Sequence, residues 1–181
     1  MGHLPIVGTG CSGDVRLLNG DACCAVVKSS SLESHEAEVR AYERLQQHGL
    51  TGTHVPQLFA ASTALYACYS VPVLVLEFIG FKSATRLTDE EKLLRATRNR
   101  VIALFDAVHK AGVLHGDVAW RNLVVQEGTD ALFLIDFGHA SLSPTAAEVA
   151  AEDVEVRKML PRGSGDSEHT TGHAVAADLD A

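Results

Sequence analysis

Two stretches of this sequence place acidic and amide side chains at intervals that suit metal and proton chemistry. They are His115-Gly116-Asp117-Val118-Ala119-Trp120-Arg121-Asn122 and Asp136-Phe137-Gly138. A carboxylate (Asp117) and an amide (Asn122) stand five residues apart in one loop, and a second carboxylate (Asp136) follows nineteen residues after the first. Between them lie two short apolar runs, Leu123 to Val125 and Leu132 to Ile135, separated by Gly128-Thr129-Asp130 and read as a hairpin. Hard oxygen ligands of this kind suit Mg²⁺, which takes one or two carboxylates and completes its shell with water and phosphate oxygens. A carboxylate left off the metal can orient a hydroxyl nucleophile and accept its proton. Gly138 allows a sharp turn beside Asp136. An isolated Asp-Phe-Gly is most often a simple turn, so the joined spacing carries the reading.

A second group of residues stands at the front of the chain. Gly8-Thr9-Gly10-Cys11-Ser12-Gly13-Asp14-Val15 is a glycine-rich turn between residues 4–8 and 14–18, which read as strands. Such glycines also occur in ordinary hairpins and in dinucleotide folds, but those folds follow the turn with a helix. Asn19-Gly20-Asp21 signals a second hairpin, leading into the run Cys23 to Val27. Lys28 ends that run, and no other lysine occurs before Lys82. An ammonium in such a place is costly to bury alone, which favours a phosphate or carboxylate partner. The helix predicted over Glu33–His48, stopped by Gly49, offers Glu36, Glu38 and Glu43.

The elements that must position these groups can be read coarsely. Pro56 and the run Val71 to Ile79 suggest two more strands around a variable loop. Thr88 with Glu91 forms a capping-box pattern, predicting one helix to Lys110 with Val101, Leu104, Phe105 and Val108 on its buried face. Ser143-Pro144 is read as the cap and first position of a last helix reaching about Leu160. Beyond Pro161 the chain turns small, polar and acidic, which predicts a disordered tail over 161–181.

Over residues 4–140 this set resembles the protein-kinase superfamily. The resemblance implies an α+β, two-lobed fold: an antiparallel N-lobe sheet with one helix (about 1–79), then a reduced, mainly helical C-lobe (about 80–160). It implies ATP and Mg²⁺ as cofactors. Gly8, Gly10 and Gly13 would cover the phosphates, and Lys28 would hold them while paired with a helix glutamate. In kinases that glutamate precedes a large apolar residue by four positions. Glu38 with Tyr42 fits, and Glu36 is the reserve. Asp117 would be the catalytic base, with Asn122 and Asp136 as the metal ligands. With Arg121 before Asn122 and no lysine two residues after Asp117, the loop resembles Asp-Leu-Ala-Ala-Arg-Asn, where the arginine helps hold the transferred phosphate. A plain ion pair with a nearby carboxylate is the alternative for Arg121. Val73 to Gly80 resembles the strand entering the hinge, with Leu76 as gatekeeper and the backbone of Glu77 and Ile79 meeting the adenine edge. Val15 and Val26 would cover the adenine faces, and His115 would support the loop.

The sequence also departs from the usual pattern. Gly116 replaces the common arginine, as in atypical kinases: the RIO family, the small kinase linked to tRNA threonylcarbamoylation, and aminoglycoside or choline kinases. No Ala-Pro-Glu motif or helical C-lobe core appears in the 43 residues after Gly138. Glu-x-x-x-Tyr-Glu-Arg-Leu and Leu-Ile-Asp-Phe-Gly-His-Ala resemble small kinase-like proteins of fungi. The tRNA-linked kinases usually end in a basic tail, whereas this one is acidic.

Composition sets outer limits. At 181 residues, with 46% hydrophobic and 21% charged residues, the chain suits one domain with a real core, taken as residues 1–160. A net charge of −8 disfavours direct nucleic-acid binding or an anionic membrane surface. No signal peptide or membrane span is apparent, and Cys11, Cys23, Cys24 and Cys68 lack metal-ligand spacing, so a cytoplasmic or nuclear location is expected. The expected activity is transfer of the ATP γ-phosphoryl group to a hydroxyl-bearing acceptor, protein Ser or Thr being favoured. A small-molecule phosphotransferase and a non-catalytic ATP-binding module are the alternatives.

Overall fold

The computed structural model describes residues 6–10, 13–19, 24–66, 69–80, 82–126, 129 and 131–161. Strands β1 (Ile6–Gly10), β2 (Gly13–Asn19) and β3 (Cys24–Ser29) are followed by helix α1 (Leu32–Gln47), then β4 (Leu58–Tyr66) and β5 (Tyr69–Glu77). The five strands form one antiparallel sheet in the order β1-β2-β3-β5-β4. Glycines at both ends of the β1–β2 turn pair with each other, Gly10 opposite Gly13. The turn itself, with Cys11, lies outside the described residues, as do residues 162–181.

Helix α1 begins where the Ser31 hydroxyl accepts the Ser34 amide at 3.3 Å. Its buried residues, Glu38, Ala41, Tyr42 and Leu45, recur at helical spacing, so a glutamate lies on the stripe that faces the core. Gly49, at φ 69, reverses the chain after the helix.

The second half is built from α2 (Asp89–Leu93), α3 (Arg95–Lys110), β7 (Val113–Leu114) and the hairpin β8 (Leu123–Val125) and β9 (Leu132–Leu134). A short strand β6 (Lys82–Ser83) joins that hairpin, and β10 (Ser141–Leu142) pairs with β7. Helix α4 (Ala146–Met159) closes the described chain. The result is an α+β, two-lobed kinase-like fold with a reduced C-terminal lobe.

Two expectations are corrected here. The single helix predicted from Thr88 to Lys110 is two, because Leu94 takes extended backbone (φ −54, ψ 126). Helix α2 is anchored by the Thr88–Glu91 capping box and by Lys92 lying 5.7 Å from the Trp120 ring centroid. The path must therefore turn before α3 can bury Val101, Leu104, Phe105 and Val108. The last helix is capped by Thr145 rather than Ser143. Thr145 and Glu148 form a reciprocal capping box, while Ser143 sits at φ 56 outside the helix.

Candidate functional site

Lys28, next to last in β3, has 5% of its surface exposed, and its Nζ bonds Glu38 Oε2 and Asp136 Oδ1, each at 2.7 Å. The Glu38 carboxylate is fully buried. Glu36 lies on the exposed face of α1, 3.8 Å from Arg40. Ten residues between Lys28 and Glu38 suffice because α1 starts three residues after β3 ends. Burial opposes the ammonium charge, but the carboxylates of Glu38 and Asp136 outweigh it and lift the Lys28 pKa above its ordinary value.

Asp136 takes a left-handed backbone conformation, φ 68, which is uncommon for a non-glycine residue and concentrates at functional sites. The turn buries Phe137 completely and leaves Asp136 facing Lys28. Phe137 packs edge-on to Tyr42 (centroids 5.4 Å apart) and against His115 (4.9 Å), which in turn meets Phe105 (5.9 Å). This column of rings ties α1, the two motif loops and α3 together. A Cβ at Gly138 would fall onto the Ser34 hydroxyl at the start of α1, so a side chain there would have to turn that hydroxyl aside.

Asp117 accepts Arg121 Nη2 at 2.6 and 2.8 Å, and Asn122 Nδ2 at 2.8 Å. Asn122 is buried, and its Nδ2 also donates to the Asp117 backbone carbonyl at 2.8 Å. With the nitrogen spent on Asp117, the amide oxygen is the atom left for a cation. The hairpin register, Leu123 opposite Leu134, and the Ile135 amide donating to the Asn122 carbonyl at 2.9 Å bring Asn122 beside Asp136. This pair of hard oxygen donors fits Mg²⁺ completed by substrate phosphates. Among the described residues no group of three or more His, Cys, Asp or Glu forms a self-sufficient metal cage.

The other candidate residues fall as follows. Val15 pairs with Lys28 and Val26 with Leu76 in the sheet, while their side chains lie outside the described residues. The backbones of Gly8, Gly10 and Gly13 lie in the β1–β2 hairpin. At the end of β5 the Glu77 amide donates to the Gln57 carbonyl at 2.8 Å, and its carboxylate accepts the Gln57 amide at 3.0 Å. Leu76 and Ile79 are buried.

Sequence reasoning missed Glu152. This α4 residue is 6% exposed and accepts the backbone amides of His115 (3.1 Å) and Gly116 (2.7 Å), immediately before Asp117. It also bonds His109 Nε2 at 2.7 Å, while His109 Nδ1 lies 3.2 Å from Asp153. The available signal was an acid on the helix face that also carries Val149 and Val156. Burial alone would raise the Glu152 pKa, yet His109 and the two amides bring it below the ordinary value. The Glu152 hydrogen bond chiefly raises His109, with burial opposing and Asp153 and Asp106 reinforcing. Burial lowers His115, whose Nε2 faces the Ile135 carbonyl at 3.0 Å while Nδ1 accepts the Asp117 amide at 3.2 Å. That pattern defines a neutral imidazole bracing the loop.

Two predictions arise from this scaffold. Glu152 stabilises the fold above the ordinary carboxylate range and loses that effect as pH falls through its depressed pKa. His109 stabilises below the ordinary histidine value and loses its effect as pH rises through its raised pKa. This pair therefore stabilises most between those limits, and His109→Gln should flatten the alkaline arm of the thermal-midpoint profile. The second prediction concerns Gly116, at φ 78, where a Cβ would fall onto the His139 carbonyl. Gly116→Ala should destabilise by at least about 1–2 kcal/mol, the usual cost of left-handed backbone, in denaturant titration. The same crowding explains why the arginine common at this position is absent.

The sheet order, the buried Lys28 pair and the two facing loops define a kinase-like protein. The family model described as the RIO domain matches residues 20–170, and the chain belongs to the RIO domain family. It is also similar to the KEOPS complex subunit Bud32 of Pyrococcus abyssi, 27% identical over 113 residues, covering 61% of this chain and 47% of that protein. The chain thus spans about half the length of that relative. Among the described residues no helix is long and apolar enough to cross a membrane.

Proposed function

We propose that the protein is an ATP-dependent phosphotransferase that moves the γ-phosphoryl group of Mg-ATP to a hydroxyl, with protein Ser or Thr as the favoured acceptor. The observation that carries this reading is the buried Lys28 bridge to both Glu38 and Asp136, beside the Asp117–Asn122 loop. A scaffold needs no ammonium in that place, because burying the Lys28–Glu38 pair costs more than an apolar core would. Lys28 holds the nucleotide phosphates, Asn122 and Asp136 hold the cation, and Asp117 receives the acceptor's proton. Bound Mg²⁺ supplies charge neutralisation on the phosphate oxygens. Arg121, 65% exposed at its side chain, leaves Asp117 to hold the transferred group. The glycine hairpin of Gly8, Gly10 and Gly13 covers the phosphates, and the backbone of Glu77 and Ile79 meets the adenine between Val15 and Val26.

The similarity to a subunit of a named complex supports a protein partner, in a cytoplasmic or nuclear setting. Gly116 in place of the common arginine, as in the aminoglycoside and choline kinases, supports a second reading in which the acceptor is a small alcohol. Labelled γ-phosphate, offered with a generic protein, several amino-alcohols and the protein itself, tests both. Label on protein supports the first reading, and label on an amino-alcohol the second. No transfer by folded, ATP-binding protein would leave a nucleotide-binding module.

A further inference from the structure

Among the described residues, strand β4 is the outer strand of the five-stranded sheet and pairs with β5 alone. From Leu58 to Leu76 the β4–β5 hairpin carries no charged residue, although 21% of the chain is charged. Phe59 to Ala64 are exposed, Phe59 by 51%. Open edges are ordinarily guarded by lysine, proline or a bulge. The only such device on β4 is the register shift between Leu58 and Ala60, after which pairing runs regularly to Tyr66.

Pro72 decides which backbone groups point outward. It stands opposite Thr63 and has no N–H, so Thr63 and Pro72 form a non-hydrogen-bonded pair. Alternation then directs Ser62, Ala64 and Tyr66 toward β5 and turns the amides and carbonyls of Ala61, Thr63 and Leu65 to the open edge. On the other side β3 pairs with β5 only as far as Val73, so the missing donor of Pro72 costs nothing there.

We propose that this edge joins a second copy of the chain, β4 pairing antiparallel with β4 about a two-fold axis at Thr63. The outward groups are symmetric about that residue, so Ala61 meets Leu65 of the second copy and every outward donor faces an acceptor. Self-complementary two-fold contacts of this kind are the commonest in homo-oligomers. Charge selects the occupant: an uncharged edge places no like charges opposite one another and offers a basic strand no acid to hold. The −8 charge of each copy lies outside this strand, and salt screens it. Dimerisation is therefore stronger at higher salt.

Light scattering and sedimentation of the whole chain across a concentration series test this. Wild type should reach twice the chain mass of 19.3 kDa. Thr63→Pro removes only the outward donor, and Thr63→Lys sets two ammonium groups across the axis. Both should stay at the single-chain mass with circular dichroism and thermal midpoint retained. Thr63→Val keeps the amide and should remain dimeric. Should the proline variant unfold, the lysine variant decides. A wild type that stays monomeric up to its solubility limit overturns the proposal. So does a dimer that survives both substitutions, one that weakens with salt, or a monomer that instead takes up an extended peptide.

Discussion

Asp117→Asn is expected to slow phosphoryl transfer by about 10²- to 10⁴-fold, the usual contribution of a positioned proton acceptor, while leaving ATP affinity nearly unchanged. The side chain is 25% exposed, and among the described residues it accepts from Arg121 and Asn122. An amide of the same shape keeps the volume but cannot accept a proton from the acceptor hydroxyl. The fold should tolerate the change, since the Arg121 contact is largely solvated and such pairs contribute about 0–1 kcal/mol. Single-turnover transfer, with nucleotide binding and thermal midpoint measured in parallel, separates these effects. A variant that still transfers at the wild-type rate would remove Asp117 from the chemistry. A variant that loses ATP binding would recast it as a binding residue.

Lys28→Met is expected to be the most destabilising change at the site, by about 3–5 kcal/mol, as when one partner of a buried ion pair is deleted. Glu38 is fully buried and depends on that ammonium, and Asp136 loses the same partner. Glu38→Leu added to Lys28→Met should recover much of the stability, since an apolar pair of similar volume leaves no buried charge. It should not recover nucleotide binding, because the phosphate contact has gone. Urea titration of the two variants, beside nucleotide titration, reads both consequences. A loss below about 1 kcal/mol for the single variant would mean the triad behaves as a solvated surface pair. That result would remove the main support for the proposed activity.

Much of this protein was legible because its chemistry is local. The interval from Asp117 to Asn122 and the step from Asp136 to Gly138 are short loops, and the strands flanking them announce themselves as apolar runs. Glu38 was chosen over Glu36 on the kinase resemblance alone; the packing of α1, which buries Ala41, Tyr42 and Leu45, is what turns Glu38 inward and leaves Glu36 in solvent. Capping signals were less decisive. The sequence suggested Ser143-Pro144 as the last helix start, whereas reciprocal hydrogen bonding with Glu148 makes Thr145 the cap. At Leu94 nothing local ends the helix. The turn comes from where α2 and α3 must each pack.

What only the tertiary structure decided are contacts across long stretches of chain, whose partners no local pattern names. Lys28 meets Asp136 across 108 residues, and Glu152 reaches back 36 residues to hold the amide of Gly116. Which backbone amides a buried carboxylate will satisfy depends on how α4 lies against the loop, and that is set by packing. The need for glycine at 116 likewise comes from the carbonyl of His139, brought near by the β7–β10 pairing. Residue types and spacing therefore determined which chemistry is on offer, while packing of distant segments determined which groups hold it in place.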